Sequence, residues 1–175
     1  MKRPRFAAWE IGAVVAALVA LQLIMVNRYG PHRDELYFVS AGQHLAWGYP
    51  DQPIFAPLLA RLATELAPHN LLALRLPSIL AMALLVVCAA AFARLLDGGR
   101  AAQLLTASTV AASVITVTLG HRLSTATFDT LAWAAVLLVV GYALRDDRPQ
   151  LWLLAGVLAG LGLNNKTAVV VLLFA

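Results

Sequence analysis

The sequence has little charge. Asp, Glu, Lys and Arg make up 13% of its 175 residues, whereas hydrophobic residues make up 61%. Soluble domains carry about 25% charged and about 45–50% apolar residues, so an ordinary soluble fold is excluded. The mean hydropathy of +0.79 agrees. The composition predicts an integral membrane protein, since a run of about 20 apolar residues is enough to cross the bilayer.

Cysteine is almost missing as well. The single cysteine, Cys88, lies within an apolar run and can form neither an intrachain disulfide nor a Cys-rich metal site. His32 and Asp34 are two residues apart and do not share a helical face, so they do not indicate a metal site either. The sequence therefore predicts no metal and no cofactor.

Basic patches interleaved with aromatic residues are also absent. The net charge of +4 comes from Lys and Arg residues scattered at the ends of apolar segments. Nucleic acid is therefore not an expected partner, and orientation among membrane lipids explains the basic residues better.

Five apolar segments account for most of the chain. They cover residues 7–26, 77–96, 101–119, 126–144 and 151–175. Lys2, Arg3 and Arg5 precede the first segment, which reads as an uncleaved signal anchor with its basic end in the cytoplasm. The sequence predicts an all-α, polytopic transmembrane helix bundle in the inner membrane. Residues 1–175 form the N-terminal part of its single domain.

The polar stretch 27–76 is the predicted first outer loop. An apolar stripe with helical spacing predicts an amphipathic helix on the membrane surface. A weaker helical pattern covers 34–47, and two prolines at 50 and 53 separate the two helices. Both helices could instead form only a structural lid. The stripe consists of Phe55, Leu58, Leu59, Leu62 and Leu66.

Four ionisable residues occupy unusual places for a membrane chain. Asp34 and Glu35 follow the first apolar segment directly, where an unpaired buried carboxylate costs several kcal/mol. The 16 steps from Asp129 to Arg145 correspond to about 24 Å of helix, which predicts that Asp129 lies on the same outer side. Lys166 falls at membrane depth, because the preceding apolar stretch is too short to cross. It needs an anion, a polar cavity or a route to the interface.

Four stretches of the chain, in order, match the pattern of one family. They are His32–Phe38, Gly48–Ile54, Ser124–Trp133 and Gly160–Lys166. They resemble the outer-loop acidic motif, the Pro-rich turn, the polar start of the fourth span and the glycine-lysine motif of GT-C superfamily membrane glycosyltransferases. The branch is that of protein mannosyltransferases and aminoarabinose transferases. Gln52-Pro53-Ile54 departs from the Pro-Pro pair of many relatives.

The resemblance implies transfer of a sugar from a polyprenyl phosphate donor to the hydroxyl of an unknown acceptor. Such a hydroxyl needs a base, and a placed carboxylate contributes about 10²–10⁴-fold. Asp34 is the predicted catalytic base, and Glu35 the predicted catalytic neighbour that orients the acceptor or raises the basicity of Asp34. Asp34 could instead merely cap the helix that follows.

The predicted substrate-binding residues surround this base. Cations would stabilise the departing phosphate, and polar groups would hold the sugar or line the entrance. Arg33 and Arg122 could instead contact lipid headgroups, Asp129 could stabilise a helix dipole, and Tyr49 could anchor the interface. The set is Arg33, His44, Tyr49, Asp51, Gln52, His121, Arg122, Asp129 and Lys166.

Two other functions stay open at this point. The chain could be a transporter or carrier of a polar-headgroup lipid, with Lys166 and the outer acidic residues forming a passage. It could also be an inactive membrane scaffold. The concentration of polar residues on one side favours chemistry at an interface over alternating access.

Overall fold

The computed structural model describes residues 4–173, and the regular secondary structure within them is helical. Lys2 and Arg3, and the end of the predicted segment 151–175, lie outside the described residues. The helices are α1 (Ala8–Met25), α2 (Arg33–Gln43), α3 (Phe55–Leu66), α4 (Leu71–Leu95), α5 (Arg100–Ala112), α6 (Val114–Gly120), α7 (Thr125–Asp146), α8 (Gln150–Leu163) and α9 (Val169–Leu173).

Several helices are long and apolar enough to cross a membrane. Within the described residues these are α1, α4 and α7, and α5 with α6 adds a fourth, broken span bent by 59°. Helix α4 is central, because it packs against α1, α3, α5, α6 and α7. The predicted all-α, polytopic bundle is confirmed, and the protein is a multi-pass membrane protein.

Helix α4 begins earlier than the predicted segment 77–96. The Asn70 side chain accepts hydrogen bonds from the backbone N–H groups of Leu72 (2.9 Å) and Ala73 (3.3 Å). This N-cap starts the helix at Leu71, and Pro77 is accommodated within it. The difference matters because it brings Arg75 into the helix.

The break between α5 and α6 lies at Ser113, inside the predicted segment 101–119. The Ser113 hydroxyl caps α6 by accepting a hydrogen bond from the N–H of Thr116 at 3.2 Å. Gln22 of α1, which is buried, donates to the carbonyl of Val117 at 2.9 Å. A broken helix in a membrane needs such partners, because lipid supplies none.

Helices α2 and α3 pack closely on each other, and α3 also packs on α4. A Cβ atom at Gly42 would lie 2.8 Å from the carbonyl oxygen of Pro57, so only glycine allows the observed approach. Phe38, Ala60 and Leu74 belong to the apolar cluster beneath them. The two helices predicted for the first outer loop are present, and the ion pair between Glu35 and Arg75 ties the start of α2 to α4.

Candidate active site

Glu35 is completely buried and holds α2 in place. Arg75 donates from Nε to Oε1 (2.9 Å) and from Nη2 to Oε2 (2.8 Å). The backbone N–H of His32 donates to Oε2 (2.8 Å) and that of Leu123 to Oε1 (3.1 Å). Burial would raise the pKa of Glu35, but these donors and the Arg75 charge hold it below its usual value. Both oxygens are thus engaged, so Glu35 is placed to position α2 rather than to meet a substrate.

Arg75 completes the polar core at this end of the bundle. Besides Glu35, its guanidinium donates to the carbonyls of Val26 (2.5 Å) and Gly30 (2.9 Å), which fixes the chain after α1. The predicted site did not include Arg75. The available signal was an arginine at the start of an apolar run, because such a charge inside a bundle requires a carboxylate partner.

Asp34 points in another direction and is accessible. Its side chain is 40% exposed, and its carboxylate lies 3.3 Å from Arg33 Nε and 3.6 Å from His32 Nδ1. Helix α2 is capped by His32, whose Nδ1 accepts from the N–H of Asp34 at 3.2 Å, and by Glu35. The Asp34 carboxylate is therefore not needed as the cap.

A cavity of about 760 Å³ opens beside Asp34. It lies between α2, the turn at residues 47–53, the start of α7 and the segment after α8. We call it the Asp34 cavity. Among its lining residues are Asp34, Tyr37, Tyr49, Asp51, Gln52, Asn165 and Lys166. The structure thus brings five predicted site residues together, although they come from three separate parts of the sequence.

The Pro-rich turn is tied to α2 by two tyrosines. The Tyr49 hydroxyl donates to the carbonyl of Ala41 at 2.8 Å, which closes the end of the helix. The Tyr37 hydroxyl donates to Asp51 Oδ1 at 2.7 Å, and this bond to the carboxylate raises the pKa of Tyr37. Tyr37 was not predicted, although its position one helical turn after Asp34 places it on the same face.

The segment after α8 forms the other wall. Its backbone is joined to α3 by the N–H of Phe55, which donates to the carbonyl of Asn164 at 3.2 Å. Asn165 is buried and donates from Nδ2 to the carbonyl of Thr125 at 2.8 Å, while its Oδ1 has no partner among the described residues. Lys166 is exposed beside it. Asn165 was missed as a site residue, since a buried amide and an exposed one look alike in sequence.

The other predicted binding residues do not line the Asp34 cavity in the described part of the chain. The side chain of Arg33 is 91% exposed, and His44 is exposed just after α2. Asp129 lies in α7, within electrostatic reach of Lys166. His121 and Arg122 line a different cavity. Burial and the neighbouring Arg75 lower the pKa of His121.

No group of three or more His, Cys, Asp or Glu side chains that could hold a metal ion occurs within residues 4–173. The carboxylates of Asp34 and Asp51, the ammonium of Lys166 and the amide of Asn165 are among the polar groups that line the Asp34 cavity. The predicted absence of a metal stays a prediction.

Comparison with known proteins gives one family. The sequence model of the family described as dolichyl-phosphate-mannose-protein mannosyltransferase matches residues 51–175. This range contains the second half of the Pro-rich turn, α7 and Lys166, whereas Asp34 precedes it. No curated protein and no solved structure matches the chain. Because the match covers well over half of the sequence, the chain belongs to the dolichyl-phosphate-mannose-protein mannosyltransferase family and is a membrane glycosyltransferase of the GT-C type.

Proposed function

We propose that the protein transfers a sugar from a polyprenyl phosphate donor to an acceptor hydroxyl on the outer side of the membrane, with Asp34 as the general base. One observation carries the proposal. Asp34, an accessible carboxylate, and Lys166, a cation, line the same cavity. Transfer from a lipid phosphate needs a base for the acceptor hydroxyl and a cation for the departing phosphate.

The carboxylate of Asp34 suits the role of base. A hydroxyl is a poor nucleophile at neutral pH, and a carboxylate within hydrogen-bond reach accepts its proton as the acceptor oxygen bonds to C1 of the sugar. Asp34 lacks a buried ion pair that would occupy both oxygens, unlike its neighbour Glu35. Its accessible side chain leaves room for an acceptor.

The opposite wall suits the leaving group. As the bond between C1 and the phosphate oxygen breaks, the electron pair stays with the phosphate, whose negative charge increases. Lys166 is the cation of the Asp34 cavity that would stabilise this charge. Asp129, within electrostatic reach of Lys166, would keep the ammonium in position.

The remaining residues of the cavity would bind the sugar. Asp51, Gln52 and Tyr49 present polar atoms on the Pro-rich turn, close to the accessible face of α2. Glu35 acts through the position of α2 and is a positioning residue in this proposal. Arg33 and His44, both exposed near the two ends of α2, stay predicted contacts at the entrance.

The test is the substitution Asp34→Asn in the full-length protein, assayed with a labelled prenyl-phosphate sugar. Asn keeps the shape of the side chain but cannot accept the proton, so we expect transfer to fall about 10²–10⁴-fold. Donor binding should change little, since Lys166 is still present. The matched control is Asp147→Asn, at the exposed end of α7, which should keep full activity.

Transfer at the normal rate by Asp34→Asn, with normal expression, would contradict the proposal. Cleavage of the C1–O bond of the donor separates an enzyme from a lipid carrier, because a carrier would move headgroups without breaking this bond. In an enzyme, Lys166→Gln should lower donor affinity and turnover together.

A further inference from the structure

A second cavity, of about 590 Å³, lies at the outer end of α1. Its walls include Leu21 and Met25 of α1 and Val117 of α6. His32, His121 and Arg122 line its polar end. In the described residues it has no lining residue in common with the Asp34 cavity. We call it the Arg122 cavity.

Arg122 carries a charge without a counter-ion in the described part of the chain. Its only side-chain hydrogen-bond contact is between Nη1 and His32 Nε2, at 3.2 Å, and its buried Nε has no partner there. The nearby Arg75 is neutralised by Glu35. A half-buried guanidinium at the edge of a membrane bundle is costly unless an anion compensates it.

A second buried donor position lies next to it. The Nε2 atom of His121 is also buried without a hydrogen-bond partner among the described residues. The ring is held by an edge contact with Tyr29, at 5.6 Å between centroids. Two residues with an unsatisfied polar atom, one of them cationic, therefore line a cavity that is also lined by Gln22, by the neutralised Arg75 and by the apolar side chains of α1 and α6.

We propose that the Arg122 cavity binds the phosphate of an anionic phospholipid from the surrounding bilayer. The guanidinium matches a phosphate in charge and in bidentate geometry. An acyl chain can lie against the apolar walls and continue over α1, where Leu21 and Ile24 are exposed. The phosphate of a sugar donor belongs near Asp34, and the two cavities have separate linings. The occupant is therefore a second lipid.

His32 connects this site to Asp34. Its Nδ1 accepts from the N–H of Asp34 at 3.2 Å, while Nε2 faces the Arg122 guanidinium at 3.2 Å. A neutral imidazole has a lone pair on only one nitrogen, so it cannot accept from both donors. A phosphate that binds Arg122 relieves this competition. The bound lipid then favours the tautomer that caps α2 at Asp34.

Native mass spectrometry of the purified full-length protein, titrated with phosphatidylglycerol or phosphatidylcholine, tests the site. We expect phosphatidylglycerol to bind at least about tenfold more tightly, since its net negative charge compensates the Arg122 guanidinium, whereas the choline cation of phosphatidylcholine offsets the charge of its own phosphate. Arg122→Gln should abolish the preference and Arg122→Lys should keep much of it. Arg28→Gln, which removes an exposed charge just after α1, should leave it unchanged.

Several results would overturn the proposal. One is an unchanged preference in Arg122→Gln, with Arg122→Lys reporting whether the fold tolerates the position. Another is tighter binding of a polyprenyl phosphate that displaces phosphatidylglycerol, which would make the cavity a donor site. The ¹⁵N shifts of His32 in nanodiscs with and without phosphatidylglycerol test the connection, and an identical tautomer in both would refute it. None of these measurements depends on transferase activity, so they stand apart from the test of Asp34.

Discussion

At the residue scale, two adjacent acidic side chains have different surroundings. Successive positions on a helix differ by about 100°. Glu35 therefore turns into the bundle towards Arg75, while Asp34 faces the cavity. Hydrogen bonds within the protein occupy both carboxylate oxygens of Glu35, whereas the carboxylate of Asp34 is accessible to a ligand. Both residues lie in the first turn of α2, where Glu35 caps the helix and Asp34 lines the cavity.

The buried pair gives a prediction about stability. Glu35→Gln removes the charge that compensates Arg75, and breaking a buried pair in this way costs about 3–5 kcal/mol. We expect the melting temperature of the purified protein to fall markedly. The matched control is Glu65→Gln, whose partner Arg61 is on the exposed face of α3. That change should cost about 0.5 kcal/mol or less.

The pH dependence of the same pair has a definite sign. The pKa of Glu35 is lower in the folded protein than its usual value of 4.5, so the folded state binds this proton less readily than the unfolded state. The stabilisation is complete above pH 4.5 and is lost as the pH falls through the folded value. The stability difference between wild type and Glu35→Gln should shrink below about pH 4.5. A constant difference from pH 7 down to the acid limit of the protein would contradict this assignment.

At the element scale, the closeness of α2 and α3 shapes the Asp34 cavity. Asp34 and Tyr37 project from α2, and the Pro-rich turn leads directly into α3. The helices approach at Gly42, where the backbone of Pro57 leaves no room for a Cβ atom. The width of the cavity therefore depends on this contact.

Gly42→Ala should push the two helices apart. Overpacking of this kind costs about 1–3 kcal/mol, and we expect a lower melting temperature together with weaker sugar-donor binding. Gly156→Ala on α8 is the matched control, because a Cβ there would meet no atom within 4 Å. It should be neutral or slightly stabilising, since alanine favours helix over glycine. Equal effects of the two substitutions would show that the contact at Gly42 does not matter.

At the scale of the whole molecule, both cavities lie at one end of the bundle. The opposite end is closed by polar contacts, including Arg145 with both oxygens of Asp97 at 2.6 Å and buried Gln103 with the N–H of Ala7 at 3.0 Å. Pro4 and Arg5 lie at this closed end, where Arg94 and Gln103 donate to their carbonyls, and the positive-inside rule predicts a cytoplasmic location for an end that carries basic residues. The cavities would then face outward.

Labelling of single cysteines tests this orientation. Cys88→Ala removes the one native thiol, and Trp47→Cys or Asp147→Cys then adds one at an exposed position near either end. A membrane-impermeant maleimide applied to intact cells should label position 47 and not position 147, because only the former is expected outside. Labelling after lysis should reach both. The reverse pattern in intact cells would place Asp34 on the cytoplasmic side.

The sequence alone was enough to predict the helical membrane class and the family, and it singled out His32–Phe38 and Gly160–Lys166 as candidate site motifs. Hydropathy, helical spacing and proline act locally, so they can be seen without a fold. Asp34, Asp51 and Lys166 could be predicted as site residues for the same reason, since each is a polar residue in an unusual local context.

Only the tertiary structure determined which partners these residues contact and which cavity they line. Glu35 meets Arg75 across 40 positions of sequence, and Arg122 meets His32 across 90. Among the predicted cations, Lys166 lines one cavity and Arg122 lines the other. No local pattern records such contacts. They depend on how α2, α4 and the segment before α7 come together at one end of the bundle, because this arrangement determines which charges have a partner within the described residues and which do not.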